Sequence, residues 1–442
     1  MLLGIFAAPW LGLQPVRALD LTPQGGTIVV QAGSYDFNGT TVNVSKTVLS
    51  IAPSPTTNIS GETLELGASV PSGYAVGTPL AGCDAHGISA QHAFVPGSLV
   101  LRRKSDNLLL VQGSDYLLDS TWGHLGLGPS SRVNTTTPLA ASYSVSRLRL
   151  DTIQISSSGV VSLKAGVESI ATPQPPDPDS GQIVLAHVFV NYRDTTFTAD
   201  SIYPIDATAA DAPTATTHAG ALPRIISKLK AGRAVTIVCL GDSVTAGSSA
   251  SSTATDYVSL FTAGLEARYP KAKITVIDVG EGGSNSNQWL YPGKYPYNGQ
   301  RGANSPANLK RVLAAKPDLV TIEFVNDAGF TTAQTNQNYR AILDRLAPTH
   351  AEIILLTPNF TMWSLMGFTS MRDTDQRPYV LALRRFAKRH GLALADAAAR
   401  WQHLTSEGLP YLTLLANTVN HPDDQGHELY FEELMKCFAP AP

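Results

Sequence analysis

The stretch AVTIVCLGDSVTAG, residues 234–247, decides how the chain is read. It opens as a run of apolar and β-branched residues without polar alternation, which suits a strand buried on both faces. The run stops at a Gly-Asp-Ser turn. Four runs of similar texture follow: KITVIDVG (273–280), LVTIEF (319–324), EIILLTP (352–358) and LALAD (392–396). Helical spacing fills the gaps between them. Tyr257, Phe261 and Leu265 share one helix face with Val258 beside it, and ANLKRVLAAK, NYRAILDRLA and YVLALRRFAKRH carry similar stripes. This alternation predicts an α/β domain over residues 221–442: a parallel five-stranded sheet, right-handed crossovers, and helices on both faces, giving three layers, α/β/α. The binding crevice of such a sheet lies outside the carboxyl ends of its strands.

Upstream the texture is different. A chain of 442 residues exceeds one ordinary core, and residues 21–206 predict a β-rich N-terminal domain. SYSVSRLRLDTIQI (142–155) alternates as a half-buried strand pair does, SLVLRRKSDNLLLV (98–111) predicts two strands around a Lys-Ser-Asp-Asn turn, and TPQPPDPDSG (172–181) is a proline-rich loop. Residues 207–220, rich in Ala, Thr and Pro, predict a linker. Residues 1–20 are read as a signal peptide, with Val16-Arg17-Ala18 resembling a cleavage site, although no Lys or Arg precedes the apolar run. The protein is therefore expected to be secreted or periplasmic, with no membrane span. A net charge of −3 gives no electrostatic reason to expect nucleic acid. Cys83, Cys239 and Cys437 are too few and scattered for a disulfide framework or zinc site, and no metal or organic cofactor is called for.

Three residue groups and a histidine pair fall at the expected strand ends. They are Gly241-Asp242-Ser243, then Gly280-Glu281-Gly282-Gly283, then Val325-Asn326-Asp327, and finally His421 and His427 within NTVNHPDDQGHELYF (417–431). Their order and spacing resemble the SGNH (GDSL-type) hydrolases, a family of esterases, lipases and polysaccharide deacetylases with a flavodoxin-like fold. The resemblance covers about residues 233–438. It implies Ser243 as nucleophile, His421 as base, and an oxyanion hole made by the Ser243 N–H, the Gly283 N–H and the Asn326 amide. Phe324 departs from the pattern, standing where a glycine is common. Asp327, by contrast, is read as a local acceptor, and His427 as a packing residue of a final helix running from 427 to about 437.

A positioned imidazole can take the proton from a serine hydroxyl near neutral pH, and preorganised donors stabilise the oxyanion that follows. The family commonly places Asp three residues before its histidine, and here that position is Thr418. Three explanations compete: a dyad whose histidine is oriented by a neutral group such as Thr418 or Asn417; a carboxylate from elsewhere, such as Asp396; or a weakened site. The first is preferred, with Nε2 of His421 facing Ser243 and Nδ1 meeting a neutral oxygen. The expected function is a serine esterase cleaving short acyl esters, foremost O-acetyl groups, with a small ester or an acetylated polysaccharide as substrate. O-acetyl transfer on the same scaffold and a non-catalytic carbohydrate-binding protein are the alternatives.

Overall fold

The structure, a computed structural model, describes residues 19–205 and 221–438. Nearly all of the expected signal peptide, and the expected linker, lie outside the described residues.

All five apolar runs form strands: β1 (Val235–Leu240), β2 (Ile274–Asp278), β3 (Leu319–Ile322), β4 (Glu352–Leu356) and β5 (Ala393–Ala395). They pair in parallel in the order β2-β1-β3-β4-β5, with Ile237 opposite Val276 on one side and Leu319 on the other. Side chains leave the sheet alternately. Val235, Ile237 and Cys239 pack with Leu319, Ile354 and Leu356 against helices α1 (Pro223–Lys230), α2 (Tyr257–Arg268) and α8 (Asp424–Lys436). Val238 and Leu240 point the other way, with Val320, Ile322, Ile353 and Leu355. They meet α3 (Ser286–Leu290), α4 (Leu309–Ala314), α5 (Thr332–Leu346) and α6 (Pro378–His390). Burying each large apolar side chain contributes about 1.5–3 kcal/mol relative to exposure. A one-residue slip would exchange the two cores, so the register is strongly specified. Cys239 is one small buried piece of this packing, its thiol pushed up to about 12 by burial.

The preceding half is built from antiparallel sheets. Leu139–Ser146 pairs with Thr56–Leu64 and Val100–Arg103. Arg149–Ser156 lies between Val161–Lys164 and Gln182–Val190, and Ile202–Pro204 completes that sheet. Two sequence expectations need correction here. The stretch 142–155 does hold two strands, but they belong to different sheets, and the second is buried on both faces. Its polar side chains are satisfied internally: Arg149 pairs with Asp151 at 2.6 Å and donates to the Ala52 carbonyl at 2.8 Å, while Asp151 accepts the Gly166 N–H at 2.9 Å. Alternation alone cannot tell a wet face from a polar face closed over by distant loops. In 98–111 the turn is present, but the second half makes only a single bridge, Leu109 opposite Arg102.

The two halves share apolar packing. Leu80, Phe94, Leu101, Tyr143 and Phe189 from the first lie in one cluster with Phe360, Trp401, Tyr411 and Leu415 from the second. The His187 ring nitrogen Nδ1 meets the Gly408 carbonyl at 2.8 Å, and Ile205 bridges Glu407. Among the described residues, no helix is long and apolar enough to cross a membrane.

Candidate active site

Ser243 sits just past the carboxyl end of β1, in a run of turns that reaches Ser249. It caps no helix; the next helix, α2, is capped by Asp256. The turn is packed tightly from below, since a Cβ on Gly241 would fall 1.8 Å from Thr245 Oγ1 and 2.7 Å from the Glu323 carbonyl oxygen. Asp242 is wholly buried and ties two strand ends together. Its Oδ1 accepts the Val244 N–H at 3.1 Å, and its Oδ2 accepts the Asn326 N–H at 2.9 Å.

A second buried carboxyl, Glu323, lies against Asp242. Burial and the adjacent Asp242 charge raise the Glu323 carboxyl far above the ordinary range, which favours its protonated form beside Asp242. Asp242, with two backbone donors, is the partner better able to carry the charge. Thr245 Oγ1 donates to Glu323 at 3.3 Å and accepts the Tyr257 hydroxyl at 2.8 Å. Asp327 adds a third buried carboxyl, pushed up to about 7 by burial, that accepts the Ser286 N–H at 3.0 Å.

The glycine loop after β2 is held by Tyr297, whose hydroxyl donates to the Gly282 carbonyl at 2.6 Å. Gly283 has φ +76°, the left-handed region, and among the described residues a Cβ there would meet nothing within 4 Å. Glycine is thus favoured by backbone conformation, and a side chain would enter the cleft that Gly283 lines. Asn326 follows β3 and donates through Nδ2 to the Ser284 carbonyl at 3.1 Å. Among the described residues, neither the Ser243 N–H nor the Gly283 N–H has a protein acceptor.

His421 arrives on the loop before α8. Its Nε2 lies 2.9 Å from Ser243 Oγ. Its Nδ1 meets Ser249 Oγ at a long 3.4 Å. The named orienters are engaged elsewhere. Asp396 caps α7 (Ala397–His403) and pairs with Arg384 at 2.7 Å. Asn417 Oδ1 accepts three backbone N–H groups, from Val419, Asn420 and His421, at 2.9–3.0 Å, so it shapes the loop and does not reach the ring. Thr418 has φ +58°, and among the described residues its buried hydroxyl has no hydrogen-bond partner. Burial lowers His421 to about 4, helped by His427 and His86 nearby. His427 is fully buried in α8 and stacks on Tyr257, with centroids 6.2 Å apart. That helix starts three residues earlier than expected, at Asp424, because Asp423 caps it through the Gly426 N–H.

Ser243, Gly282, Gly283, Asn326 and His421 line one cavity of about 590 Å³. Tyr74 and Ile88, from the β-rich half, form part of its wall. Neither those two residues nor Ser249 is distinguishable by sequence reasoning: nothing in SSASSTAT (248–255) singles one serine out, and the wall residues are separated from Ser243 by more than half the described β-rich region.

Residues 239–429 match the family model described as the GDSL-like lipase/acylhydrolase family. The similarity to GDSL-like lipases and acylhydrolases thus lies within the α/β half. No curated protein matches the chain. Among solved structures, similarity extends to a two-domain esterase active on acetylated mannans, at 21% identity over 49% of this chain and 52% of that one, with a TM-score of 0.40. It also extends to a variant of an acetyl xylan esterase from Geobacillus stearothermophilus, at 20% identity over 47% and 96% of the two chains, with a TM-score of 0.35. The match thus spans about half the length of the mannan esterase. The matched segment holds every quoted strand-end residue between β1 and α8.

Proposed function

We propose that the protein is a serine esterase that cleaves short acyl esters, O-acetyl groups on polysaccharides foremost. The observation that carries this reading is the 2.9 Å separation between His421 Nε2 and Ser243 Oγ at the carboxyl edge of the sheet. In the proposed reaction Ser243 Oγ attacks the ester carbonyl while His421 Nε2 takes its proton. The oxyanion draws on the Ser243 N–H, the Gly283 N–H and the Asn326 amide. His421 then returns the proton to the departing alcohol oxygen, leaving an acyl-enzyme. Water, deprotonated by the same nitrogen, releases the acid and restores Ser243.

This is a dyad, with the Ser249 hydroxyl taking the place beside Nδ1 that an acid would occupy. A neutral partner fits the lowered His421 value, because a carboxylate there would hold the imidazolium and raise it. Preserved geometry around Ser243 speaks against a retired, purely sugar-binding scaffold.

Turnover of para-nitrophenyl acetate by the wild type and by Ser243→Ala tests the proposal. The variant should lose activity by about 10⁴-fold or more. Absence of Ser243-dependent turnover on every short ester would sink it.

A further inference from the structure

The cavity above Ser243 has a wall that the α/β half does not supply. Tyr74 stands on that wall with 45% of its surface exposed, and Val70 and Val76 on either side are also exposed. An aromatic ring left open at the rim of a reactive cleft is held in place with some care. It packs in a T-shaped arrangement with Trp122, with centroids 5.8 Å apart and planes at 62°. The loop beneath is closed by a bridge between Ser72 and Val76, and the Gly73 N–H donates to Asp119 Oδ2 at 3.1 Å. Trp122 is in turn buried against Met362 and Val419, and the Met362 N–H donates to the Val419 carbonyl at 2.6 Å. Val419 lies two residues before His421. The ring is therefore fixed relative to the proposed base through a short chain of packed side chains.

We infer that Tyr74 is a stacking platform for a pyranose ring, so that the β-rich half supplies part of the substrate site for an acetylated oligosaccharide. This rests on the esterase reading above and deepens it. An acetyl group fills little of a 590 Å³ cleft, a size within the range of about 300–1,000 Å³ usual for small-molecule sites. The remaining space must take the alcohol part of the ester. A sugar presents an apolar C–H face and a polar rim, which suits a flat aromatic face beside Thr361, Asn420 and Ser248. A long acyl chain would call for an enclosed apolar tunnel, whereas this cleft is open and sets those polar groups among apolar Ile88, Val325 and Leu365.

The full-length protein provides the test, with para-nitrophenyl acetate and a partially acetylated xylo-oligosaccharide as substrates. Tyr74→Ala should raise KM on the oligosaccharide about tenfold with kcat little changed, the pattern of lost uniform binding, and should affect the small ester by a clearly smaller factor. Tyr74→Phe should retain the wild-type constants. Equal losses on both esters would show a merely structural role and overturn the inference, as would no loss on the oligosaccharide. A separate arm uses calorimetric binding of the same oligosaccharide in a Ser243→Ala background, which needs no catalysis. Adding Tyr74→Ala there should weaken binding about tenfold, and unchanged or undetectable binding to the parent overturns the platform. Loss of Ser243-dependent turnover alone would instead strike the esterase reading.

Discussion

Among the described residues His421 has no carboxylate partner, and its environment pushes it toward the neutral form. For a general base the neutral form is the working one. Lowering its value to about 4 therefore keeps it competent as pH falls, and activity should be lost only where protonation finally wins. We expect kcat/KM to stay flat from neutral pH down to about pH 5 and to fall with a midpoint near 4, against the 6.5 of an ordinary histidine. A wild-type midpoint at 6 or above in the pH–rate profile would refute this. Ser249→Asp places a carboxylate beside Nδ1, at a left-handed position (φ +70°) that Asp tolerates. Its charge favours the imidazolium, so the midpoint should rise by about one to two pH units. At this scale the sequence was informative about identity and silent about partners. Ser243 and His421 could be picked out by the company they keep along the chain. Ser249 could not, because its approach to the ring depends on a turn conformation that no residue type announces.

At the scale of elements, the ends of β1 and β3 concentrate three buried carboxyls, Asp242, Glu323 and Asp327, directly behind Ser243. Each has its value raised by burial. A carboxyl raised in the folded state holds its proton more tightly there than in the unfolded chain. Its stabilising contribution is full below the unfolded value and is lost as pH rises through the folded one. The loss amounts to at most about 1.4 kcal/mol per pH unit for each group. Stability should thus decline as pH rises from about 4 to about 7, through the raised values of Asp242 and Asp327. Glu323→Gln keeps the shape and a donor toward Asp242 but has no proton to lose. Denaturant melts across that range should show a shallower decline for the variant; an unchanged slope would count against a protonated Glu323. The five strands themselves were legible because buried parallel strands are contiguous apolar runs. The sheets of the β-rich half were not, because Leu139–Ser146 and Arg149–Ser156 look alike locally and find different partners far away. The start of α8 was missed because its first turn, Asp424 to Gly426, is polar and its apolar stripe begins later.

Across the whole molecule, the cluster joining Leu80, Phe94 and Tyr143 to Trp401, Tyr411 and Leu415 makes the two halves depend on each other. Separate domains would melt separately; a shared core should give one transition. Calorimetry and near-ultraviolet dichroism should therefore report a single coincident unfolding event, and two resolved peaks would contradict it. Nothing in the sequence foretold this union, since a change of texture near residue 207 argues for separation and says nothing about which apolar faces later meet. The same cluster also carries a clock. The β-rich half leaves the ribosome first, and its face around Leu80, Phe94 and Phe189 stays uncovered until the segment through Leu415 has been made. At about 5–20 residues per second, the roughly 200 intervening residues correspond to about ten to forty seconds of exposure. During synthesis, then, the chain passes through a period in which its first half is built but not yet closed.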